Sequence, residues 1–436
     1  MRKWFFGAIL LLIAGIVFQL GLLMYAMYVF LGLLVVSRYL ARQWTDSLVV
    51  TREANKSTAE IGDKVAIVVN LFNKGRTRIT WVLVEDSVPR YALLSKPARI
   101  KLNGKRTQLL SIKGGGRDSL LYQITFHTHG YYQIGPTLVE SGDLFGLHRH
   151  YRIATEPIYI LVYPKVVPLL GYDVSSRRPV GEIVLQHRLF EDPTRIAGVR
   201  PYQAGDPMNR VHWKATARTG ELHSRVFESS SLAGATILLD YHQQSYPARG
   251  ETYRSELAVT LAVSLTNAIC LLGQQVGMLS NARDAADRIR EEGYKLEFRT
   301  REDAHQDFGM LPENTRLRPV RIETARGPEQ FSQILEACAR FELSDGLTFP
   351  QLVAESLSHL PRDASVVAIL GDVTEESAIA LGNLRRSGYA VSVVLILQEE
   401  FEYSQKAGLL MTQNLEVRHI VDESTVADFC SSRVLV

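Results

Sequence analysis

The densest grouping of chemically capable side chains is Arg200-Pro201-Tyr202-Gln203-Ala204-Gly205-Asp206, followed shortly by Val211-His212-Trp213-Lys214-Ala215-Thr216-Ala217-Arg218-Thr219-Gly220-Glu221-Leu222. Gly205-Asp206-Pro207 reads as a turn, because glycine allows unusual backbone angles and aspartate accepts nearby amide protons. Lys214 and Arg218 are four residues apart and share a face if the stretch is helical. Arg200, Tyr202, Gly205, Asp206, His212, Trp213, Lys214 and Arg218 are therefore the candidate binding residues. Two readings stay open. One is a cationic docking site for a carboxylate, a phosphate or an acidic loop of a partner. The other is an internal clamp, with Trp213 buried and Arg218 or Arg200 paired with Asp206 or Glu221.

Other chemistry is poorly supported by spacing. His127 and His129, and His148 and His150, come in i, i+2 pairs, with no cysteine or glutamate at zinc-ligand distance. Cys270, Cys338 and Cys430 lie far apart, so they offer neither a disulfide framework nor a metal knuckle, and a reducing compartment suits them. Ser224 and Ser229 to Ser231 lack a nucleophile-elbow pattern. Gly114-Gly115-Gly116 has no following Lys-Ser/Thr, so it reads as a hairpin tip rather than a phosphate loop. No catalytic residues are assigned. A net charge of +3 on 436 residues argues against bulk binding of nucleic acid.

The elements that must hold these residues are of three kinds. From Trp4 to Ser37 no residue is charged, far more than the roughly 20 that one spanning helix needs. Two helices with a turn near Gln19-Leu20-Gly21 fit better. Arg2 and Lys3 before the run and Arg38 and Arg42 after it place both ends in the cytoplasm. A cleaved signal peptide fits less well, because the run is long and no small-residue cleavage site closes it. A single tilted helix with an exported soluble part is the rival topology.

From Leu48 to Pro164 the pattern predicts short strands, at Val65 to Val69, Ile79 to Glu85, Leu120 to Phe126 and Ile158 to Tyr163, as in an Ig-like all-β sandwich. After residue 233 buried strands alternate with helices. Strands are expected at Thr236 to Leu239, Val276 to Leu279, Val366 to Leu370 and Ala390 to Leu397. Helices are expected at Glu251 to Gln275, Gln330 to Phe341, Phe349 to Leu360 and Glu375 to Ser387. That alternation predicts βαβ units around a mostly parallel sheet. The polar stretch from Asn281 to about Pro328 reads as surface loops with a short helix.

The Tyr202, Gly205-Asp206, His212-Trp213-Lys214 and Ala217-Arg218-Thr219-Gly220 pattern resembles the signature of the bacterial domain-of-unknown-function family 58. His129-Gly130-Tyr131 to Gly135-Pro136 and Asp143-Leu144-Phe145-Gly146-Leu147 resemble the sandwich region of such proteins. Pro201 stands where an acidic residue is common. The resemblance implies a C-terminal von Willebrand factor A-like (Rossmann-like) domain and partnership with a MoxR-type AAA+ ATPase; it implies no reaction. A von Willebrand A domain can hold Mg²⁺ through Asp-x-Ser-x-Ser after its first strand. Here Asp240-Tyr241-His242-Gln243-Gln244 lacks both serines, and Asp372 is a lone second carboxylate, so the site reads as degenerate, with no cofactor expected.

The whole reading is a multidomain chain: a transmembrane hairpin over 1–42, the Ig-like sandwich over 45–165, a signature region over 166–233 and the von Willebrand A-like α/β domain over 234–436. It is expected at the inner membrane, with its soluble parts facing the cytoplasm. Its expected work is as a non-catalytic adaptor that brings protein clients to a MoxR-type AAA+ ATPase. A phosphate- or nucleotide-binding hydrolase using the signature, and an exported envelope-associated binding protein, are the alternatives.

Overall fold

The computed structural model describes residues 2–143, 149–169, 172–173, 178–179, 190–202, 211–230, 234–246, 251–292, 317–361, 365–397 and 399–429. Gly205, Asp206, His148 and Cys430 lie outside them. The chain divides into two units, Met1–Pro164 with Ala285–Asn314, and Lys165–Asp284 with Thr315–Val436.

The first unit opens with α1 (Arg2–Val17) and α2 (Gly21–Asp46), which pack against each other. The turn between them falls where expected. Gln19 takes φ 54 there, and Leu20 N–H donates to Gly15 O at 2.9 Å. Among the described residues only α2 is long and apolar enough to cross a membrane; the apolar part of α1 is Phe6–Val17. α2 does not stop at residue 42 but runs to Asp46. The physical reason is packing: Ser37, Ala41, Trp44 and Thr45 form one buried stripe, and Trp44 enters the hydrophobic core of the β-sheets.

Two four-stranded antiparallel sheets share that core. One has the order β1 (Leu48–Ala54), β3 (Lys64–Asn73), β7 (Arg117–Phe126), β5 (Ile100–Gly104). The other has β10 (Arg149–Thr155), β9 (Thr137–Gly142), β4 (Ile79–Asp86), β6 (Thr107–Ile112). A smaller sheet joins β2 (Thr58–Glu60), β11 (Ile158–Tyr163) and β8 (Gly130–Ile134). Strict alternation, as in β3 where Val65, Ile67, Val69 and Leu71 are buried, gives each sheet one inner face.

A buried ion pair pins this unit. Arg52 grips Asp86 with Nε (3.0 Å) and a terminal nitrogen (2.5 Å), and the second terminal nitrogen donates to Ile134 O (3.0 Å) and Glu156 O (2.9 Å). Tyr122 and Thr137 hydroxyls donate to the same carboxylate at 2.7 and 2.9 Å. Burial, then the charge of Asp86, pushes the Tyr122 phenol well above its ordinary range. Gly135 has φ 94, and a Cβ there would stand 2.3 Å from the Arg52 guanidinium. Tyr132 donates to Thr128 O at 3.1 Å. Within the Gly-Tyr-Tyr-x-x-Gly-Pro stretch, Ile134 O and Gly135 thus frame this pin.

The second unit holds a six-stranded sheet in the order β16 (Val320–Ala325), β15 (Gln275–Ser280), β14 (Gly234–Leu239), β17 (Ser365–Leu370), β18 (Val391–Ile396), β19 (Glu416–Ile420). All pairings are parallel except that of the edge strand β16. Counted within the sheet the order is 3-2-1-4-5-6, the doubly wound arrangement with its switch point between β14 and β17. α5 (Tyr253–Leu271) and α7 (Pro328–Ala339) cover one face; α8 (Phe349–Ser356), α9 (Glu375–Arg386) and α10 (Glu400–Met411) cover the other. Burial on both faces is why β14 is one unbroken apolar run. β16, α10 and β19 were not expected from the sequence.

Candidate functional site

The signature region is built on a two-stranded ribbon. β12 (Phe190–Pro201) pairs antiparallel with β13 (His223–Ser230), setting Arg200 opposite Ser224 and Pro201 opposite His223. Tyr202 N–H donates to Leu222 O at 2.8 Å. On the far side of β13, Val211 bridges to Ser224, and His212 N–H donates to His223 O at 2.8 Å. The two halves of the motif therefore flank the same two residues, His223 and Ser224. Ser224 is fully buried between them, out of reach as a nucleophile.

Between Val211 and β13 stands α4 (Trp213–Thr219). His212 caps it: Nδ1 accepts from Ala215 N–H at 3.0 Å, which leaves Nε2 to carry the ring hydrogen. Gly220 ends it with φ 79, its N–H donating to Thr216 O at 2.9 Å, a backbone state that explains the Arg-Thr-Gly sequence. Thr216 Oγ1 accepts from His223 N–H at 3.1 Å and ties the helix to the ribbon. Arg218 sits in the last turn, where a cation is favoured by the helix dipole.

No residue of α4 is buried. Trp213 is 62% exposed, and Lys214, Ala217 and Arg218 are exposed beside it. Trp213 and Ala217 form one i, i+4 row, and Lys214 and Arg218 form the adjoining one. Among the described residues neither Lys214 nor Arg218 has an ion-pair partner. Trp213 does not pack inside as the internal clamp requires, and Arg218 does not pair with Glu221; the clamp's Asp206 arm lies outside the described residues. Arg200 donates to Pro201 O at 3.2 Å. Gly205 and Asp206 lie outside the described residues.

The second candidate, Asp240, lies buried at the carboxyl end of β14. Its oxygens accept from Asn281 Nδ2 (2.8 Å), His242 N–H (3.2 Å) and Ser245 Oγ (2.5 Å). Burial holds this carboxyl above its usual range, although those hydrogen bonds oppose the shift. Tyr246 OH donates to Asp240 O at 2.8 Å. A Cβ on Gly371 would lie 2.7 Å from both Ser245 O and the Tyr246 ring, so these residues fill the crevice at the switch point. Arg254, also buried, donates to Ile396 O (3.0 Å) and to Gly371 O. Asp372 does not join Asp240; it pairs with Lys406 at 2.8 Å. No group of three or more His, Cys, Asp or Glu able to hold a metal occurs among the described residues. His129 is buried and His127 exposed. Sequence reasoning missed Asn281, Ser245, Tyr246 and Arg254. The legible signal was Asn281, which follows its apolar strand directly, as Asp240 follows β14.

Comparison with known proteins follows the signature. Residues 198–295 match the family described as "Protein of unknown function DUF58". This segment of the chain is similar to DUF58. The matched segment starts inside β12 and takes in α4, β13, β14 and α5. An uncharacterized protein of Bacillus subtilis (strain 168), YeaD, is 22% identical over 259 residues, 59% of this chain. The alignment spans 62% of that relative's length. Among solved structures, a CARDB domain from Pyrococcus furiosus covers 27% of this chain and 94% of its own, at 13% identity and a TM-score of 0.17. The Bacillus subtilis sporulation control protein Spo0M covers 27% of this chain and 49% of its own, at 13% identity and a TM-score of 0.16. Scores this low assign no fold.

Proposed function

We propose that this protein is a membrane-anchored, non-catalytic adaptor that engages an acidic protein partner through the exposed face of α4. The observation that carries this reading is the solvent-facing row of Trp213 and Ala217 beside Lys214 and Arg218, which have no ion-pair partner among the described residues. An exposed tryptophan flanked by cations is the composition of an interface anchor, with Ala217 small enough to admit a close approach. The partner class is a MoxR-type AAA+ ATPase, and the clients are proteins. The sheet order with its antiparallel edge strand supports a von Willebrand A-like α/β unit. The crevice filled by Tyr246, Ser245 and Arg254 speaks against a ligand-hydrolysing site there. α2 is the anchor, at the inner membrane with the soluble units in the cytoplasm.

The test is affinity capture from solubilised membranes with the wild-type chain and with Trp213→Ala and Lys214→Ala/Arg218→Ala variants. All three are expected to melt within about 2 °C of one another, because exposed positions contribute little to stability. The variants are expected to lose most of the captured ATPase, the double-cation variant more so at low salt. Equal capture by all three would remove the α4 docking site.

A further inference from the structure

The end of the sandwich that receives α2 is a basic surface held in place by backbone hydrogen bonds. Lys74 N–H donates to Ser47 O at 2.9 Å, which fixes the β3–β4 turn at the foot of α2. The β6–β7 tip is tied onto that turn. Gly115 N–H donates to Asn73 O (3.0 Å) and Gly75 O (3.2 Å), and a Cβ on Gly114 would stand 2.3 Å from Arg76 O. Buried Asn73 holds both loops through its side chain, donating to Thr77 O (2.9 Å) and Lys113 O (3.1 Å) and accepting from Gly75 N–H (2.9 Å). The triple glycine is thus a close-approach seam and not a loose tip. Five exposed cations project from it: Lys74, Arg76, Arg78, Lys113 and Arg117. Exposed Arg42 lies on the last turns of α2, paired with Asp46 at 3.8 Å. Among the described residues Lys74, Arg76 and Lys113 have no acidic partner. Cations gathered on two loops tied to each other raise the local potential.

We propose that this collar binds the anionic phospholipid headgroups of the membrane that holds α2, an inference that rests on reading α2 as the anchor. Arg38 is the first charge after the uncharged run and marks where α2 leaves the hydrocarbon. Ser47 is nine residues further, about 14 Å along the helix axis. A headgroup layer of about 6 Å, the reach of a lysine or arginine side chain and a Debye length of about 8 Å cover that gap. Because the loops are hydrogen-bonded to the foot of α2, they stay at headgroup depth whatever the second unit does. That continuity favours lipid over an acidic protein as the occupant.

The test is amide hydrogen exchange on the full chain in nanodiscs of zwitterionic lipid alone and of zwitterionic lipid with about a third phosphatidylglycerol. Exchange at residues 74–78 and 113–117 is expected to slow several-fold in the anionic discs only. The slowing is expected to vanish at 0.5 M salt and in the Arg76→Gln/Arg78→Gln/Lys113→Gln variant, whose glycine seam is intact. Equal exchange of these loops in both discs, with α2 protected in both, would overturn the headgroup site while leaving the anchor standing. Protection by inorganic phosphate or polyglutamate in zwitterionic discs, with none from phosphatidylglycerol, would overturn it in favour of another anion. α2 amides exchanging freely in both discs would overturn the anchor and the collar together.

Discussion

Asp86 and Asp240 are both buried carboxylates, but they meet different partners. Asp86 has a bidentate guanidinium and two hydroxyl donors, so its charge is matched inside the sandwich. Removing one partner strands the other: Arg52→Ala is expected to cost about 3–5 kcal/mol in denaturant unfolding of the detergent-solubilised chain. A loss under 1 kcal/mol would mean the pin is ornamental. Asp240 has only neutral donors, and burial raises its folded-state pKa. Proton uptake on folding then stabilises the unit. That contribution is whole below the unfolded pKa near ~3.9 and is lost as pH rises through the folded value. Asp240→Asn carries no charge to bury. The variant's melting temperature relative to wild type is therefore expected to improve as pH rises from 4 to 8. A gap constant over that range would show that burial does not govern this carboxyl.

At the scale of elements, the strongest local patterns were the ones read correctly. The strand at Ile158 to Tyr163 and the helices over Phe349 and Glu375 declared themselves through unbroken apolar runs, capping residues and dipole-matched ends. What stayed hidden were elements whose burial is decided elsewhere in the chain. β16 is an edge strand with half its residues turned to solvent, and its sequence, Val-Arg-Ile-Glu-Thr-Ala, looks like loop until β15 pairs with it. The exposure of Trp213 was hidden for the same reason, since no spacing rule says which side of a seven-residue helix meets the ribbon. Conversely Trp44, next to charged residues at the end of an apolar helix, becomes core because β9 and β10 lie alongside α2. The two tryptophans are therefore expected to differ on substitution. Trp44→Ala should cost about 3–5 kcal/mol, and Trp213→Ala about 0.5 kcal/mol or less, in the same unfolding assay. Equal losses would contradict the burial that separates them.

For the whole molecule, the decisive question is on which side of the membrane the soluble units stand. α1 and α2 pack against each other around the turn at Phe18-Gln19-Leu20, so Arg2 and Lys3 return to the same side as Arg38 and Arg42. A single tilted span would need the two helices fused through Gln19, whose φ of 54 breaks the helical path. The apolar part of α1, Phe6–Val17, covers only about 18 Å against a hydrocarbon core of about 30 Å. If the pair is a membrane hairpin, as proposed, the bilayer would have to thin or the helix pair would have to sit deep on one side. Either way the start of β1 at Leu48, two residues beyond α2, keeps the sandwich against the face that carries the cations. In the proposed topology the positive-inside rule would put it in the cytoplasm. A reporter fused after Val436 is expected to be active only there, and an alkaline phosphatase fusion at the same point is expected to be inactive. Activity of the phosphatase fusion with silence of the cytoplasmic one would reverse the topology and place the α4 face out of reach of any cytoplasmic ATPase.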